Sequence, residues 1–392
     1  MVLSWQPVSW WVGGMAALLS LAALVYAVLA SWAVARWHPI LRDAEPSLLA
    51  ESAPSGPAIS LLKPLHGDAG ELYGALRSFC VQEYPQYELV CGVQSPTDAA
   101  IAVVERLQAE FPALPLRLVR TTTRIGRNPK VNNLAGILAV CRYAALVISD
   151  ADIVVGPHYL RHIAPLLQDT AVGVVTCLYR ARPADTLWSQ VLASQVNGLF
   201  LPSVLVAARL GPNIFCGGAT MAILRTTLDA FGGLPRLADH LADDYWLGAF
   251  SRALGKRTVL ADYVADTVVQ EAGFRSFYQH ALRWSRTTRS VQPAGHTFSF
   301  LSYPLPLVCL LAAGMGAWGL LPLGVVLLWR VVYHRQIVRK LGASGSFGVA
   351  LLGDFLGLWI WFHALFARRV AWRGAHFSID ADGRMGGHDG AE

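Results

Sequence analysis

The chain has 392 residues, 54% of them hydrophobic, a mean hydropathy of +0.42 and a formal net charge of +6. That is too apolar for an ordinary soluble enzyme and predicts membrane segments. The positive balance suits a surface facing anionic lipid, and no basic run interleaved with stacking aromatics points to nucleic acid. The six cysteines, Cys80, Cys91, Cys141, Cys177, Cys216 and Cys309, lack CxxC spacing and read as buried thiols in a reducing compartment.

In chain order, Trp10 to Ala35 is uncharged and long enough to cross a bilayer, with Trp10, Trp11 and Trp32 as interfacial anchors. It has no preceding Lys or Arg and is too long for a signal-peptide core, so it reads as a retained anchor. Asp43 to Pro57, rich in Ala, Ser, Pro and Glu, reads as a linker. Strand and helix then alternate: a strand over Ala58–Pro64, a helix over Glu71–Gln82, a strand over Tyr87–Val93, a helix over Ala99–Glu110, a strand over Leu116–Val119 and a helix over Asn132–Tyr143. The fourth strand begins at Ala145. This rhythm predicts an α/β domain with a parallel sheet covered on both faces and ligands beyond the strand carboxyl ends. No G-x-G-x-x-G and no Walker lysine motif accompanies it.

The fourth strand opens into Ser149-Asp150-Ala151-Asp152. If the chain stays extended, the two carboxylates point the same way and converge on one small volume, which suits Mg²⁺ or Mn²⁺ held beside substrate phosphates. Solvated turn residues are the simpler reading of an isolated Asp-x-Asp. Further on, Ala171–Leu178 reads as a strand and Asp185–Ala208 as a helix with an apolar second half, either internal or lying on the membrane. Cys216-Gly217-Gly218 suits a close approach of backbone to ligand or a tight turn. Asp243 and Asp244 open a helix, where the dipole favours acids but does not call for so many. Phe274–Val291 is amphipathic, with Phe274, Phe277, Ala281 and Trp284 on one stripe and Arg275, Arg283, Arg286 and Arg289 as cations.

Leu301 to Trp329 is a second uncharged stretch, either one tilted helix or a hairpin kinked around Gly314, Gly316, Gly319 and Pro322. Phe347 to Ala367 is a third, interrupted by Asp354 and His363. The expected plan is therefore an anchor over 1–36, a linker over 37–57, a cytoplasmic catalytic domain over 58–295 and a C-terminal membrane region with a short basic tail over 296–392. Basic residues flanking the apolar stretches put the N-terminus outside and the polar middle in the cytoplasm.

A lone Asp98 after the second strand, the Asp-x-Asp after the fourth, Asp243-Asp244 and Arg283-Trp284 form an ordered set. With Leu61-Leu62-Lys63-Pro64-Leu65, Val93-Gln94, Asn128-Pro129-Lys130-Val131-Asn132-Asn133-Leu134 and Ala242-Asp243-Asp244-Tyr245, it resembles the D, DxD, D, (Q/R)xxRW signature of membrane-bound inverting glycosyltransferases. The chain is similar to the ceramide glucosyltransferase family, glycosyltransferase family 21, which includes bacterial relatives acting on hopanoids. The resemblance runs from about Ser60 to Thr287 and extends to Trp372-Arg373-Gly374. It implies a GT-A, Rossmann-like mixed sheet between N- and C-terminal transmembrane helices, in a multi-pass protein of a bacterial inner membrane. The activity it implies is transfer of glucose or N-acetylglucosamine from a UDP-sugar donor to a membrane lipid acceptor, ceramide or a hopanoid. Asp244, with Asp243 as competitor, is then the general base, Asp150 and Asp152 hold the metal, and Lys63, Pro64, Asp98, Lys130, Asp150, Cys216, Gly217, Gly218, His280, Arg283 and Trp284 face the donor. His280 departs from the signature, which has Gln or Arg there. A processive polysaccharide synthase shares the signature but generally needs more spans than three apolar stretches supply.

Overall fold

The computed structural model describes residues 6–42, 56–67, 71–343, 345–366, 369–372, 375–380 and 383–388. Most of the expected linker, the Trp10 and Trp11 side chains and Arg373-Gly374 of the tail lie outside the described residues. The chain forms two compact units from interleaved segments: Met1–His38, Pro183–Leu210 and Val269–His376 make one, and Pro39–Arg182, Gly211–Val268 and Phe377–Glu392 the other.

The second unit is built on one mixed sheet. Its strands are β1 (Ile40–Leu41), β2 (Ile59–Pro64), β3 (Tyr87–Val93), β4 (Leu116–Arg120), β5 (Ala145–Ile148), β6 (Ile153–Val154), β7 (Val172–Pro183), β8 (Met221–Leu224) and β9 (Arg257–Val269). Their spatial order is β1-β9-β7-β8-β5-β2-β3-β4, with β6 paired to β9. β5, β2, β3 and β4 run parallel, whereas β8 is antiparallel to β5 and β7. β2, β3 and β5 are buried along almost their whole length because both faces are covered. Leu61, Leu89 and Val147 enter one core, and their neighbours Leu62, Val90 and Leu146 enter the other.

Two local departures from the expected elements shape the site. The helix expected over Asn132–Tyr143 runs instead over Pro129–Leu138, because Asn128 caps it with its side chain, accepting from the Lys130 and Val131 amides, and Pro129 takes the first helical position. That earlier start puts Lys130 in the first turn. The strand at 145 stops at Ile148: the Asp150 amide donates to Gly218 O (3.0 Å) and the Ile153 amide to Asp150 O (3.4 Å), turning the chain between the two acids. Asp150 and Asp152 therefore do not converge by strand periodicity.

In the first unit, three helices among the described residues are long and apolar enough to cross a membrane: Ala17–Ala35, Leu187–Leu210 and Phe347–Phe366. Pro293–Ser302 and Pro304–Met315, bent by 61°, would add a fourth as a broken span. The stretch 301–329 is a hairpin: helix Pro304–Met315, one 3-10 turn and helix Leu320–Leu341. Gly319 permits the reversal, since a Cβ there would lie 2.4 Å from Ala312 Cα. Leu187–Leu210 carries a π-helical turn at Val196–Phe200. Asp354, which had no role on sequence alone, forms a bidentate pair with Arg330 (2.7 and 2.9 Å), and both are almost wholly buried. Each charge answers the other where neither could stand alone.

Candidate active site

The carboxyl ends of β5 and β3 lead into Asp150 and Asp98, and Gly218 joins Asp150 to the helix Asp243–Ala253. The Asp150 amide donates to Gly218 O at 3.0 Å, and the Gly218 amide donates to Asp244 Oδ2 at 3.0 Å. A side chain at this position has no room: a Cβ on Gly218 would lie 2.2 Å from Asp150 Oδ2. Asp244 also accepts from the Tyr245 amide through Oδ1 (2.8 Å). Lys130 closes the cluster, its Nζ lying 2.7 Å from Asp150 Oδ1 and 3.0 Å from Asp243 Oδ2. Residues separated by more than a hundred positions thus meet around one ammonium.

Burial, then the neighbouring Asp243 charge, pushes the Asp244 carboxyl up to about 6, with Lys130 opposing. Burial also raises Asp243, against the pull of Lys130. For Lys130, burial alone would lower the ammonium, but Asp150, Asp243 and Asp244 together hold it above the ordinary lysine value. The cluster keeps a fixed positive charge between two carboxylates and leaves a third poised to take a proton near neutral pH.

Asp152 sits across the turn, accepting from Thr267 Oγ1 at 2.7 Å. The residue is exposed to solvent although protein crowds its carboxyl from one side; that desolvation and the like charge of Asp150 raise its carboxyl. Lys63, expected at the donor, is wholly buried beneath the turn. Its Nζ donates to Asp150 O (2.7 Å) and Ser149 Oγ (3.1 Å) and lies 3.6 Å from the Phe79 ring centroid. Burial lowers this ammonium to about 7, with Asp152 and Asp150 opposing. Lys63 therefore acts on the acids from below and does not reach solvent. Pro64, also buried, ends β2 opposite Gly92.

Among the described residues no group of three or more His, Cys, Asp or Glu side chains is placed to hold a metal ion. Asp150 and Asp152 fit a hard divalent ion that takes only one or two protein carboxylates and completes its shell with substrate phosphate. The upward push that burial and then the Asp150 charge give the Asp152 carboxyl is the observation that favours a cation there.

Asp98, two strands away, is tied into the backbone: Oδ1 accepts from the Gly67 amide (2.9 Å) and the Ala100 amide (3.0 Å), and Oδ2 lies 3.8 Å from His66 Nδ1. It joins the loops after β2 and β3 and opens the helix Ala100–Glu110. The Gly217 amide donates to Thr176 Oγ1 (3.1 Å). Cys216 is buried against the helix Asp243–Ala253, where a Cβ on Gly248 would lie 2.9 Å from Cys216 Cβ. Its thiol is a packing group, which burial keeps protonated.

In the first unit, His280, Arg283 and Trp284 lie on the helix Phe274–Val291. His280 Nδ1 pairs with Glu271 Oε1 at 2.7 Å and meets the Trp284 ring edge-on at 4.3 Å between centroids. Burial alone would raise Glu271, yet hydrogen bonds from His280 and Ser276 hold it below its ordinary value. Phe274 and Tyr278 stack on Trp359 of the helix Phe347–Phe366, whose last carbonyls accept from Arg289 (2.7 and 2.6 Å).

Residues 15–385 match the sequence model of glycosyl transferase family 21. The chain belongs to that family. Among its relatives, ceramide glucosyltransferase 1 of Caenorhabditis elegans is 24% identical over 352 residues, covering 86% of this chain and 74% of that protein. Ceramide glucosyltransferase 3 of the same organism is 23% identical over 241 residues, 60% of this chain and 52% of that one. A solved structure, the mannosyltransferase PcManGT from Pyrobaculum calidifontis in complex with GDP-Man and Mn²⁺, superposes with a TM-score of 0.56 at 22% identity, over 88% of this chain and 99% of that chain. The family 21 chain thus has a GT-A-like mixed sheet together with several apolar helices.

Parts of this family 21 site escaped sequence reading. Thr267, which holds Asp152, follows Asp266, a wholly buried acid against Arg180, Arg182 (2.7 Å) and Arg42 (3.6 Å). The signal was an Asp-Thr pair inside the otherwise apolar second half of β9, from Tyr263 to Val269. Gly218 was singled out for the donor; its part as the link between Asp150 and Asp244 needed the fold.

Proposed function

We propose that this family 21 chain transfers one glucose or N-acetylglucosamine from a UDP-sugar to the hydroxyl of a membrane lipid, ceramide or a hopanoid, with inversion. The observation that carries the reading is the convergence of Asp150, Lys130, Asp243 and Asp244 at the strand carboxyl ends in a chain whose relatives are ceramide glucosyltransferases. Asp244 is the base: a carboxyl near 6 is ionised at neutral pH yet basic enough to take the hydroxyl proton as the lipid oxygen attacks the anomeric carbon. Asp243, paired to Lys130, is the weaker candidate.

Mg²⁺ or Mn²⁺ on Asp150 and Asp152 would supply charge stabilisation for the departing diphosphate. Lys130 adds a fixed ammonium beside it, and Arg283 is the cation that the resemblance assigns to the same task. Asp98 keeps the loops after β2 and β3 in place for the uracil or ribose, and Trp284 offers a stacking face. His280, locked to Glu271, takes the position where the family signature has Gln or Arg. Arginines flanking the apolar helices support a cytoplasmic catalytic domain in a multi-pass protein.

The test is purified protein with radiolabelled UDP-glucose or UDP-N-acetylglucosamine and defined lipids. A single glycolipid, absent with Asp244→Asn, is the expected result. A ladder of polymer products would mean a processive synthase, and full turnover in the variant would remove the base.

A further inference from the structure

We propose that the C-terminal tail at Gly383–Met385, together with Arg127, is a positioning clasp that holds the loop Ala238–Ala242 and so aligns Lys130 with Asp243 and Asp244. The inference rests on the transfer reaction proposed above and concerns residues that reaction does not use. The loop connects the two helix starts of the cluster. On one side, the Asn128 amide donates to Ala238 O (2.8 Å), and Asn128 Nδ2 donates to His240 O (2.7 Å) while its Oδ1 caps the helix that begins with Lys130. Gly126 lies flush on the same loop, a Cβ there falling 2.5 Å from Ala238 O. On the other side, three residues beyond His240, Asp243 opens the base-bearing helix.

The tail clips onto the outer edge of this loop. The Met385 amide donates to Asp239 O (2.8 Å), and the Leu241 amide donates to Gly383 O (3.3 Å), which brings Arg384 opposite His240 in an antiparallel bridge. Arg127 fastens both partners at once: its amide donates to Asp239 Oδ1 (2.9 Å) and its Nη1 to Met385 O (2.5 Å). The clip is preformed, because Asp380 accepts the Arg384 amide through Oδ1 (2.8 Å) and the Gly383 amide through its carbonyl (3.1 Å), with Gly383 at a φ of +73°. Met385 is buried, and His240 is buried with its ring 4.5 Å from that of Trp246 on the base-bearing helix. A loop with so few internal bonds relies on these external ones for its position.

Arg127 and Met385 are positioning residues, so the test separates geometry from folding. In the full-length chain, Met385→Pro removes the amide that donates to Asp239, with Met385→Leu as its control, and Arg127→Ala is set against Arg127→Lys. Hydrogen exchange of residues 238–246 reads the loop directly, and kcat and donor KM for lipid glycosylation read the cluster. Met385→Pro and Arg127→Ala are expected to speed exchange in that segment and to lower kcat by a factor on the order of 10 to 100, with donor KM within about twofold. Arg127→Lys should recover most of kcat and Met385→Leu nearly all of it. Unchanged exchange in both disruptive variants overturns the clasp, as does faster exchange with unchanged kcat, or equal losses in disruptive and conservative variants. If the wild-type chain glycosylates no lipid, the proposed activity fails, and the exchange measurement alone still decides whether the tail holds the loop.

Discussion

Gly218→Ala perturbs the site at a single atom. The added Cβ would fall 2.2 Å from Asp150 Oδ2, against an ordinary contact of at least 3.4 Å, so the carboxylate must retreat by about 1.2 Å. It cannot simply rotate away, because Oδ1 is held by Lys130 at 2.7 Å, and moving it opens that pair or drags Lys130 off Asp243. Gly218 is not among the glycines with positive φ, so alanine strains no backbone and the fold should tolerate it. A displacement near 1 Å at a reacting centre costs on the order of 10²-fold in rate. Initial rates of glycolipid formation from radiolabelled UDP-sugar, with the thermal midpoint measured beside them, are the assay. The expected outcome is a kcat lower by about two orders of magnitude with a midpoint within about 3 °C of wild type. A variant with kcat within twofold of wild type would refute the claim that Asp150, Gly218 and Lys130 form one tightly packed unit.

The Asp244 carboxyl rises from 3.8 to about 6 on folding, so kcat/KM should fall as pH drops through about 6. A folded value above the unfolded one stabilises the fold below pH 3.8, and that contribution is lost as pH rises through 6; Asp244→Asn should therefore gain about 3 kcal/mol at pH 7.5 and next to nothing well below pH 3.8, by thermal unfolding. A variant no more stable than wild type at pH 7.5 would contradict the shift. Removal of divalent metal should abolish transfer, and Mn²⁺ with UDP should raise the wild-type midpoint but not that of Asp152→Asn; an equal rise in both would take Asp152 out of the metal site. Arg330→Met alone should cost about 3–5 kcal/mol by stranding Asp354, and adding Asp354→Leu should restore most of it, measured by unfolding in detergent micelles. Additive losses in the double variant would refute the pairing.

The parallel half of the sheet was legible because its strands are covered on both faces and their apolar runs stand out between helices. Tyr87–Val93 and the helix Phe274–Val291 have the boundaries that the pattern predicts. β8 and β9 were not anticipated, since their pairing with strands distant in sequence leaves no local mark. The residues of the cluster could be named from their motif, but its geometry could not. Strand periodicity predicted converging carboxylates at Asp150 and Asp152, whereas the turn after Ile148 sends Asp150 to Lys130 and Asp152 to Thr267. Lys63 illustrates the same limit: a lysine at a strand end looks like a ligand-binding cation, and only the packing of Phe79 beneath it reveals a buried support. Arg330 reads as a basic flank of the second apolar stretch and Asp354 as a lone acid in the third, but their pairing depends on the turn after Leu341, where Gly342 takes a φ of +56°.

The proposed reaction passes one sugar in a single displacement to a lipid hydroxyl. Mass spectrometry and the anomeric proton coupling of the lipid product made from an α-linked UDP-sugar test it most directly. The prediction is a lipid carrying one hexose or N-acetylhexosamine in β linkage. An α-linked product, or a series of masses spaced by successive sugars, would contradict it.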